Sequence, residues 1–277
     1  MGLPGNAAVV LVLAAAFAPP SRASEVDVRA QLQVVAGRSV FFGHQSVGMN
    51  LIDGLRRLAA DQGVPLRVVE EKGALDVPAG TFAHAYIAEN GDPMRKLRSF
   101  AQALDGAKTE PALAMMKFCF VDFRPDTDAR ALFAAYQETL GALKARHPGI
   151  AFVHVTTPLT TVQGGLKGGL KRLLGKAPYG LLENARRDEY NALLRAAYRG
   201  REPFFDLAEA ESTRADGSRE TADWHGAAVP ALAPAYTRDG AHLAGDGQMR
   251  AARAFLAVLA SVPLRAGVAP SQASRQP

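Results

Sequence analysis

Short apolar runs alternate with longer segments of helical periodicity along most of the chain. Between the apolar runs, hydrophobic residues recur every three or four positions, as at Leu51, Leu55 and Leu58, which predicts amphipathic helices. The run over 113–121 is almost continuously apolar, which is typical of a parallel strand covered on both faces. Five runs predict strands, over residues 39–42, 66–69, 113–121, 150–155 and 204–207. Strands alternating with helices predict a single α/β domain with a central parallel sheet.

The two ends of the chain differ from this pattern. Residues 7–18 are apolar and uncharged, and small residues follow them, which predicts a signal peptide over 1–23 that is cleaved before Ser24. The alternative is an uncleaved anchor, because no Lys or Arg precedes the run. The protein is therefore expected to be secreted or periplasmic. Residues 24–264 predict one domain, and residues 265–277, rich in Ser, Gln and Pro, predict a disordered tail.

Composition narrows the function classes. The 277 residues carry a net charge of +5, but the basic residues are scattered and no aromatic-interleaved basic patch occurs, so a nucleic-acid partner is not expected. After the signal, no stretch is long and apolar enough to span a membrane. The single cysteine, Cys119, lies in an apolar run and is expected to be a small buried side chain. No metal-ligand spacing and no phosphate-binding glycine loop occur, so neither metal nor cofactor is expected.

Two short motifs carry the residue types that nucleophilic catalysis needs. The first, FFGHQSVG over 41–48, places the hydroxyl of Ser46 on a strand-to-helix turn, where backbone N–H groups stabilise negative charge. The second, DGAH, places the carboxylate of Asp239 three residues before the imidazole of His242. A serine nucleophile needs a base, and that base needs an orienting partner. Because ligands bind beyond the carboxyl ends of parallel strands, these residues are expected to meet at one edge of the sheet.

These motifs resemble the sequence blocks of the SGNH (GDSL-type) hydrolases, of which the chain looks like a divergent member. The block 43–48 resembles the nucleophile block, Asn90-Gly91 resembles the second block, and 239–243 resembles the closing block. The similarity spans about 39–259. It implies a three-layer α/β/α sandwich of flavodoxin-like topology around a five-stranded parallel sheet.

The resemblance also implies roles for individual residues. Ser46 would be the nucleophile, His242 the general base and Asp239 its orienting partner. The N–H groups of Ser46 and Gly91 would hold the oxyanion, helped by Asn90. Independently of the resemblance, His44 and Gln45 are candidates for substrate binding because they lie next to Ser46. The implied activity is that of an exported serine esterase, a class that includes carbohydrate deacetylases and acyltransferases. The implied partner is a small-molecule or carbohydrate ester.

The chain departs from the SGNH pattern at two places. Gln45, not Asp, precedes Ser46, and Val121 occupies the place of the Asn whose amide donates to the oxyanion. The neighbouring Asp122 is unable to donate when ionised. These departures motivate a second hypothesis, a non-catalytic module of the same fold that binds a glycan or envelope polymer.

Structural roles compete with the catalytic ones. Ser46 is a favoured residue for a helix N-cap, Asp239 suits a turn before Gly240, and His242 is a candidate for a buried structural histidine. His44 is equally suited to bind substrate, to donate a hydrogen bond or to fill the strand end. Residues 163–180, rich in Gly and Lys, predict either a mobile lid or a solvated loop with a short helix.

Overall fold

The computed structural model describes residues 22–263. The predicted signal peptide lies outside the described residues, apart from Arg22 and Ala23, at which the first helix begins, and so does the predicted tail at 265–277. Within 22–263, none of the helices has the length and apolar character needed to cross a membrane.

A parallel five-stranded sheet forms the centre of the molecule. Its spatial order is β2-β3-β1-β4-β5, and each neighbouring pair is parallel. All five carboxyl ends therefore lie at one edge, and the predicted α/β fold is confirmed. The strands are β1 (Val40–His44), β2 (Arg67–Glu70), β3 (Thr81–Tyr86), β4 (Leu113–Met116) and β5 (Ala151–Phe152).

Strand β3 is absent from the sequence prediction, which assigned its residues to a polar connection. It nevertheless pairs with both β1 and β2. Polar residues inside it obscure the apolar run, because Thr81 and His84 are buried although their side chains are polar. A strand in the middle of a covered sheet buries its side chains even when they are polar. A search for apolar runs does not detect such a strand.

The outer strands also differ from the prediction. The predicted fourth strand divides, because β5 pairs with β4, whereas β6 (His154–Val155) pairs with β7 (Phe204–Phe205). The run at 204–207 is thus a short parallel addition beyond β6 and not the fifth strand of the main sheet. The predicted third strand ends at Met116, and a 3₁₀ turn occupies Phe120–Asp122.

Helices cover both faces of the sheet in two layers. One layer packs against Val40 and Phe42 of β1, and the other packs against Phe41, because alternate strand residues point to opposite faces. The first layer consists of α1 (Arg22–Ala36), α2 (Ser46–Asp61), α7 (Leu207–Ser212) and α8 (Gly245–Ser261), and the second of α3 (Pro93–Asp105), α4 (Ala129–Arg146) and α6 (Leu181–Tyr198).

Two further elements lie in segments predicted as loops. Helix α5 (Gly165–Leu173) occupies the Gly- and Lys-rich stretch, which agrees with the loop that contains a short helix. Strands β8 (Thr221–Trp224) and β9 (Ala227–Pro230) form an antiparallel hairpin where the sequence pattern predicts no strand.

Helices α2 and α8 approach closely at Gly54. A Cβ atom added at Gly54 would lie 2.5 Å from the Cβ of Ala252, which is fully buried on α8. This contact matters for function, because α2 begins at Ser46 and α8 follows His242 directly. The spacing of the two helices therefore fixes the spacing of the two motifs.

Gly54→Ala is expected to destabilise the protein by about 1–3 kcal/mol, because the added methyl overlaps a side chain that has no flexible end. Gly141→Ala is the matched control in the middle of α4, where an added Cβ meets no atom within 4 Å. Helix propensity alone should stabilise that variant by about 0.5–1 kcal/mol. Denaturant unfolding measures both, and an equal stabilisation of the two variants would contradict close packing at Gly54.

Candidate active site

Ser46 is the first residue of α2, directly beyond the carboxyl end of β1. The N-cap is Gln45, in an extended conformation, so the interpretation of Ser46 as a capping residue is wrong. The N–H groups of a first helical turn lack intrahelical acceptors, and the helix dipole places partial positive charge there. The hydroxyl thus stands beside donors suited to developing negative charge.

Three side chains from the two ends of the chain form one hydrogen-bonded row. The Oγ of Ser46 lies 2.9 Å from Nε2 of His242, although the residues are 196 positions apart. Nδ1 of His242 lies 2.6 Å from Oδ2 of Asp239. The carboxylate accepts the Nδ1 proton, which leaves the lone pair of Nε2 facing the serine. The side chain of His242 is 39% exposed, so it is not a histidine buried in the core.

Asp239 is held as an anion by donors of its own turn. Its Oδ1 accepts from the N–H groups of His242 (2.8 Å) and Ala241 (2.9 Å) and from the hydroxyl of Thr237 (3.1 Å). The hydrogen bonds from the backbone and ring of His242 hold the pKa of Asp239 well below its ordinary value. The turn residue and the partner of the imidazole are therefore one side chain with both roles.

Two residues outside the predicted motifs hold this turn in place. Asn50 on α2 accepts from the N–H of Leu243 at 3.1 Å. The N–H of Thr161 donates to the carbonyl of Gly240 at 2.8 Å. Gly240 has φ of +85°, and a Cβ there would lie 2.7 Å from the hydroxyl of Thr161. Asn50 lies one turn after Ser46, a helical spacing that would have shown it to be near the site.

The predicted oxyanion donor Gly91 is already engaged. Its N–H donates to Oδ1 of Asp122 at 2.8 Å, so it is not the free donor that the resemblance implies. Asp122 also forms an ion pair with Lys96 at 2.7 Å, with both side chains fully buried. Asn90 directs its carbonyl oxygen to the same ammonium group at 2.9 Å. A buried carboxylate needs donors, and this one takes the Gly91 amide for that purpose.

His44 and Gln45, the two residues before Ser46, are both engaged by neighbouring groups. His44 is fully buried, donates from Nδ1 to the carbonyl of Gln45 (2.9 Å) and contacts Nδ1 of His84 through Nε2 (3.1 Å). Burial lowers the pKa of His44 to about 3, so the ring is neutral. The amide of Gln45 donates to the carbonyls of Ile87 and Ala88. The burial of His44 contradicts substrate binding and agrees with the alternative that it fills the strand end. Gln45 is half-buried, and substrate binding by it stays a prediction.

A cleft of about 610 Å³ opens on the Asp239 side of the row, and neither Ser46 nor His242 is among the residues that line it. The ring of Phe120 meets the ring of His242 edge-on at 5.6 Å. Buried Arg187 supports Phe120 by donating from Nε (3.0 Å) and Nη2 (2.8 Å) to its carbonyl. Residues that line the cleft include Phe120, Phe123, Thr161, Gln163, Tyr179, Arg187 and Asp239. A larger cavity, of about 820 Å³ around Arg199 and Arg250, is lined by none of Ser46, Asp239 and His242, the triad of the hydrogen-bonded row.

Comparison with known proteins gives solved structures of similar fold but no sequence relative. No family model matches the chain, and no curated protein matches it. One similar structure is a putative platelet activating factor from Streptococcus pneumonia (13% identity, 85% of this chain, 90% of that chain, TM-score 0.46). Another is a variant of Axe2, an acetyl-xylooligosaccharide esterase from Geobacillus Stearmophilus (13% identity, 84% of this chain, 98% of that chain, TM-score 0.38). A third is the periplasmic domain of a lipopolysaccharide acetyltransferase from Salmonella ser. Paratyphi A (12% identity, 85% of this chain, 86% of that chain, TM-score 0.37).

Lys96→Met is expected to destabilise the protein by about 3–5 kcal/mol, because it leaves the carboxylate of Asp122 buried without its cation. The double variant Lys96→Met/Asp122→Leu should lose less, since both charges are removed. Lys72→Met is the exposed control: its pair with Glu70 spans 3.5 Å in solvent and should contribute less than about 1 kcal/mol. Chemical denaturation of the four proteins tests this, and a Lys96→Met variant as stable as the parent would refute it.

Proposed function

We propose that this protein is an acyl-ester hydrolase or acyltransferase of the SGNH type, in which Ser46 is the nucleophile, His242 the general base and Asp239 its orienting partner. The observation that carries the proposal is the 2.9 Å contact between Oγ of Ser46 and Nε2 of His242. A serine bonded to an imidazole that is itself bonded to a carboxylate is the arrangement required for nucleophilic attack on a carbonyl carbon.

The proposed reaction proceeds in two steps. Ser46 Oγ attacks the ester carbonyl carbon while its proton passes to Nε2 of His242, and the ionised Asp239 stabilises the resulting imidazolium. The imidazolium then protonates the leaving alcohol, which leaves an acyl group on Ser46. Water or another hydroxyl, deprotonated by the same Nε2, attacks the acyl carbon. The bond from the acyl carbon to Ser46 Oγ then breaks, the imidazolium returns its proton to Oγ, and the acyl product leaves. Asp239 keeps its charge throughout, as its low pKa favours.

The oxyanion is proposed to form against the first turn of α2. The N–H of Ser46, together with that of Val47, lies where the helix leaves donors without intrahelical acceptors. Since the Gly91 amide is bonded to Asp122, it contributes only if that bond breaks. Loss of one oxyanion donor costs about 100- to 1000-fold in turnover, so we expect slow hydrolysis.

The remaining assignments follow from the sequence. We propose export to the periplasm or the exterior through the signal at 1–23, and a single domain over 24–264. We propose a small-molecule or carbohydrate ester as substrate, because the exposed side chains of His242 and Asp239 leave room for a bulky alcohol.

The direct test is Ser46→Ala. This variant should lose at least about 1000-fold in turnover of p-nitrophenyl acetate, because no other group supplies the nucleophile. A fluorophosphonate probe should label the parent, and peptide mapping should find the label on Ser46. The matched control is Ser261→Ala, an exposed serine at the end of α8, which should behave as the parent. Unchanged turnover in Ser46→Ala, with the fold intact, would end the assignment.

A second candidate is favoured by the engaged Gly91 amide. Because the Gly91 amide donates to Asp122, it is not available to an oxyanion. This is expected of a non-catalytic module that keeps the fold and binds a glycan or envelope polymer at the same edge of the sheet. In that case the fluorophosphonate would leave the folded parent unlabelled, while a glycan would still bind.

Asp239→Asn tests the orienting role. An amide that donates to Nδ1 would move the imidazole proton to Nε2, where it prevents Nε2 from accepting the serine proton. We expect kcat to fall by about 10⁴-fold, as a change of tautomer does in serine proteases. The control is Asp61→Asn, an exposed carboxylate at the far end of α2. Steady-state kinetics should show no change for Asp61→Asn, and a similarly small effect for Asp239→Asn would exclude the orienting role.

A further inference from the structure

Helix α5 is oriented with its apolar face outward. Its leucines recur at spacings of four, three and one, so they occupy one arc of about 100°. They are far more exposed than is usual for large apolar side chains: Leu166 is 94% exposed, Leu170 58%, Leu173 83% and Leu174 62%. The opposite side holds Gly168, which is buried, and a Cβ there would lie 2.2 Å from the carbonyl oxygen of Gln163. The helix thus presents glycine to the protein and leucine to solvent.

Basic residues lie beside this leucine stripe. Lys167 and Lys171 follow one border of it and Lys176 lies in the turn after the helix, whereas Arg172 is on the side of Gly168. The segment 163–180 contains neither Asp nor Glu. No ion pair is found for any of the four within the described part of the chain. A face of this kind attracts an anionic partner and repels a second copy of itself.

The segment is anchored beside the candidate active site. The N–H of Gln163 donates to the carbonyl of Tyr179 at 3.0 Å, which closes the excursion at its base. Both residues line the cleft that also contains Asp239. The leucines point away from that base, so α5 in this arrangement does not act as a lid. The described part of the chain leaves these four leucines uncovered, so a binding partner is the candidate to cover them.

We propose that α5 and the turn after it, residues 165–176, dock the protein on an anionic phospholipid bilayer. The leucine stripe would enter the boundary between headgroups and acyl chains, while Lys167, Lys171 and Lys176 would contact lipid phosphates. A basic amphipathic helix is the element that lies in a membrane interface without crossing it. This docking goes beyond the proposed esterase function, since it needs no chemistry at Ser46.

The test is flotation of the full chain with vesicles of phosphatidylglycerol and phosphatidylcholine (1:1), compared with phosphatidylcholine alone. All variants carry the same residues 1–21, so a difference between them reports α5. The parent should partition at least about tenfold more strongly onto the anionic vesicles, and this preference should weaken in 1 M salt. Equal partitioning onto both vesicle types would overturn the role of the cations.

Substitutions separate the two contributions. Lys167→Gln/Lys171→Gln/Lys176→Gln should lower partitioning by about a hundredfold, since each cation near an anionic surface contributes about fivefold. Leu166→Gln/Leu170→Gln/Leu173→Gln should lower it by more than about tenfold. The controls are Arg57→Gln/Arg98→Gln/Lys108→Gln, with the same change in charge on other surfaces, and Val34→Gln/Met94→Gln, which removes two exposed apolar side chains elsewhere. Controls that lose as much as the α5 variants would overturn the proposal.

Two further measurements complete the design. A dimer that depends on the leucines, detected by light scattering without lipid, would assign the face to a second copy instead. Ser46→Ala should bind the vesicles as the parent does, and the leucine variant should hydrolyse p-nitrophenyl acetate as the parent does. Failure of docking and failure of the esterase function are therefore observed separately.

Discussion

The hydrogen bond between Ser46 and His242 joins residues that are 196 positions apart, so it forms only when most of the domain is folded. The 2.9 Å contact between Ser46 and His242 exists because β1 delivers α2 to the carboxyl edge of the sheet and α8 returns the closing motif to the same edge. Two contacts set its length: the close approach of α2 and α8 at Gly54, and the bond from Leu243 to Asn50. Since hydrogen bonds weaken steeply with misalignment, a shift between these helices would break it first.

The buried ion pair between Lys96 and Asp122 determines which backbone donors remain free at the carboxyl ends of β3 and β4. Lys96 and Asp122 are both withdrawn from water, and their attraction offsets desolvation only if the remaining lone pairs are also satisfied. The N–H groups of Gly91 and Cys119 satisfy them, at 2.8 and 2.7 Å. The same geometry that stabilises the loops after β3 and β4 therefore removes a donor from the place where an oxyanion would form. If the proposed reaction takes place here, the stability of the ion pair and the stabilisation of the oxyanion compete for the Gly91 amide.

The difference between prediction and structure has a consistent physical origin. The sheet, the flanking helices and the meeting of Ser46 with Asp239 and His242 follow from periodicity and from the rule that parallel strands share an edge. The sequence does not predict strand β3, because two of its buried positions are polar. For His44 the sequence leaves three roles open, and only burial, which no local pattern reports, favours the filling of the strand end. The engagement of Gly91 was not predictable, since it depends on a carboxylate 31 residues later whose burial no local pattern reports.

The exposure of the triad sets a requirement on whatever binds there. The side chains of His242 and Asp239 are 39% and 55% exposed, so water would screen the charges that develop in the proposed acyl transfer. Helix α5 does not exclude this water, because its leucines point outward and its glycine packs inward. Phe120 and Phe123 give the cleft an apolar wall beside the imidazole. A substrate that covers this wall would itself expel the water, so the alcohol or acyl group would supply the low-dielectric environment that the free protein lacks.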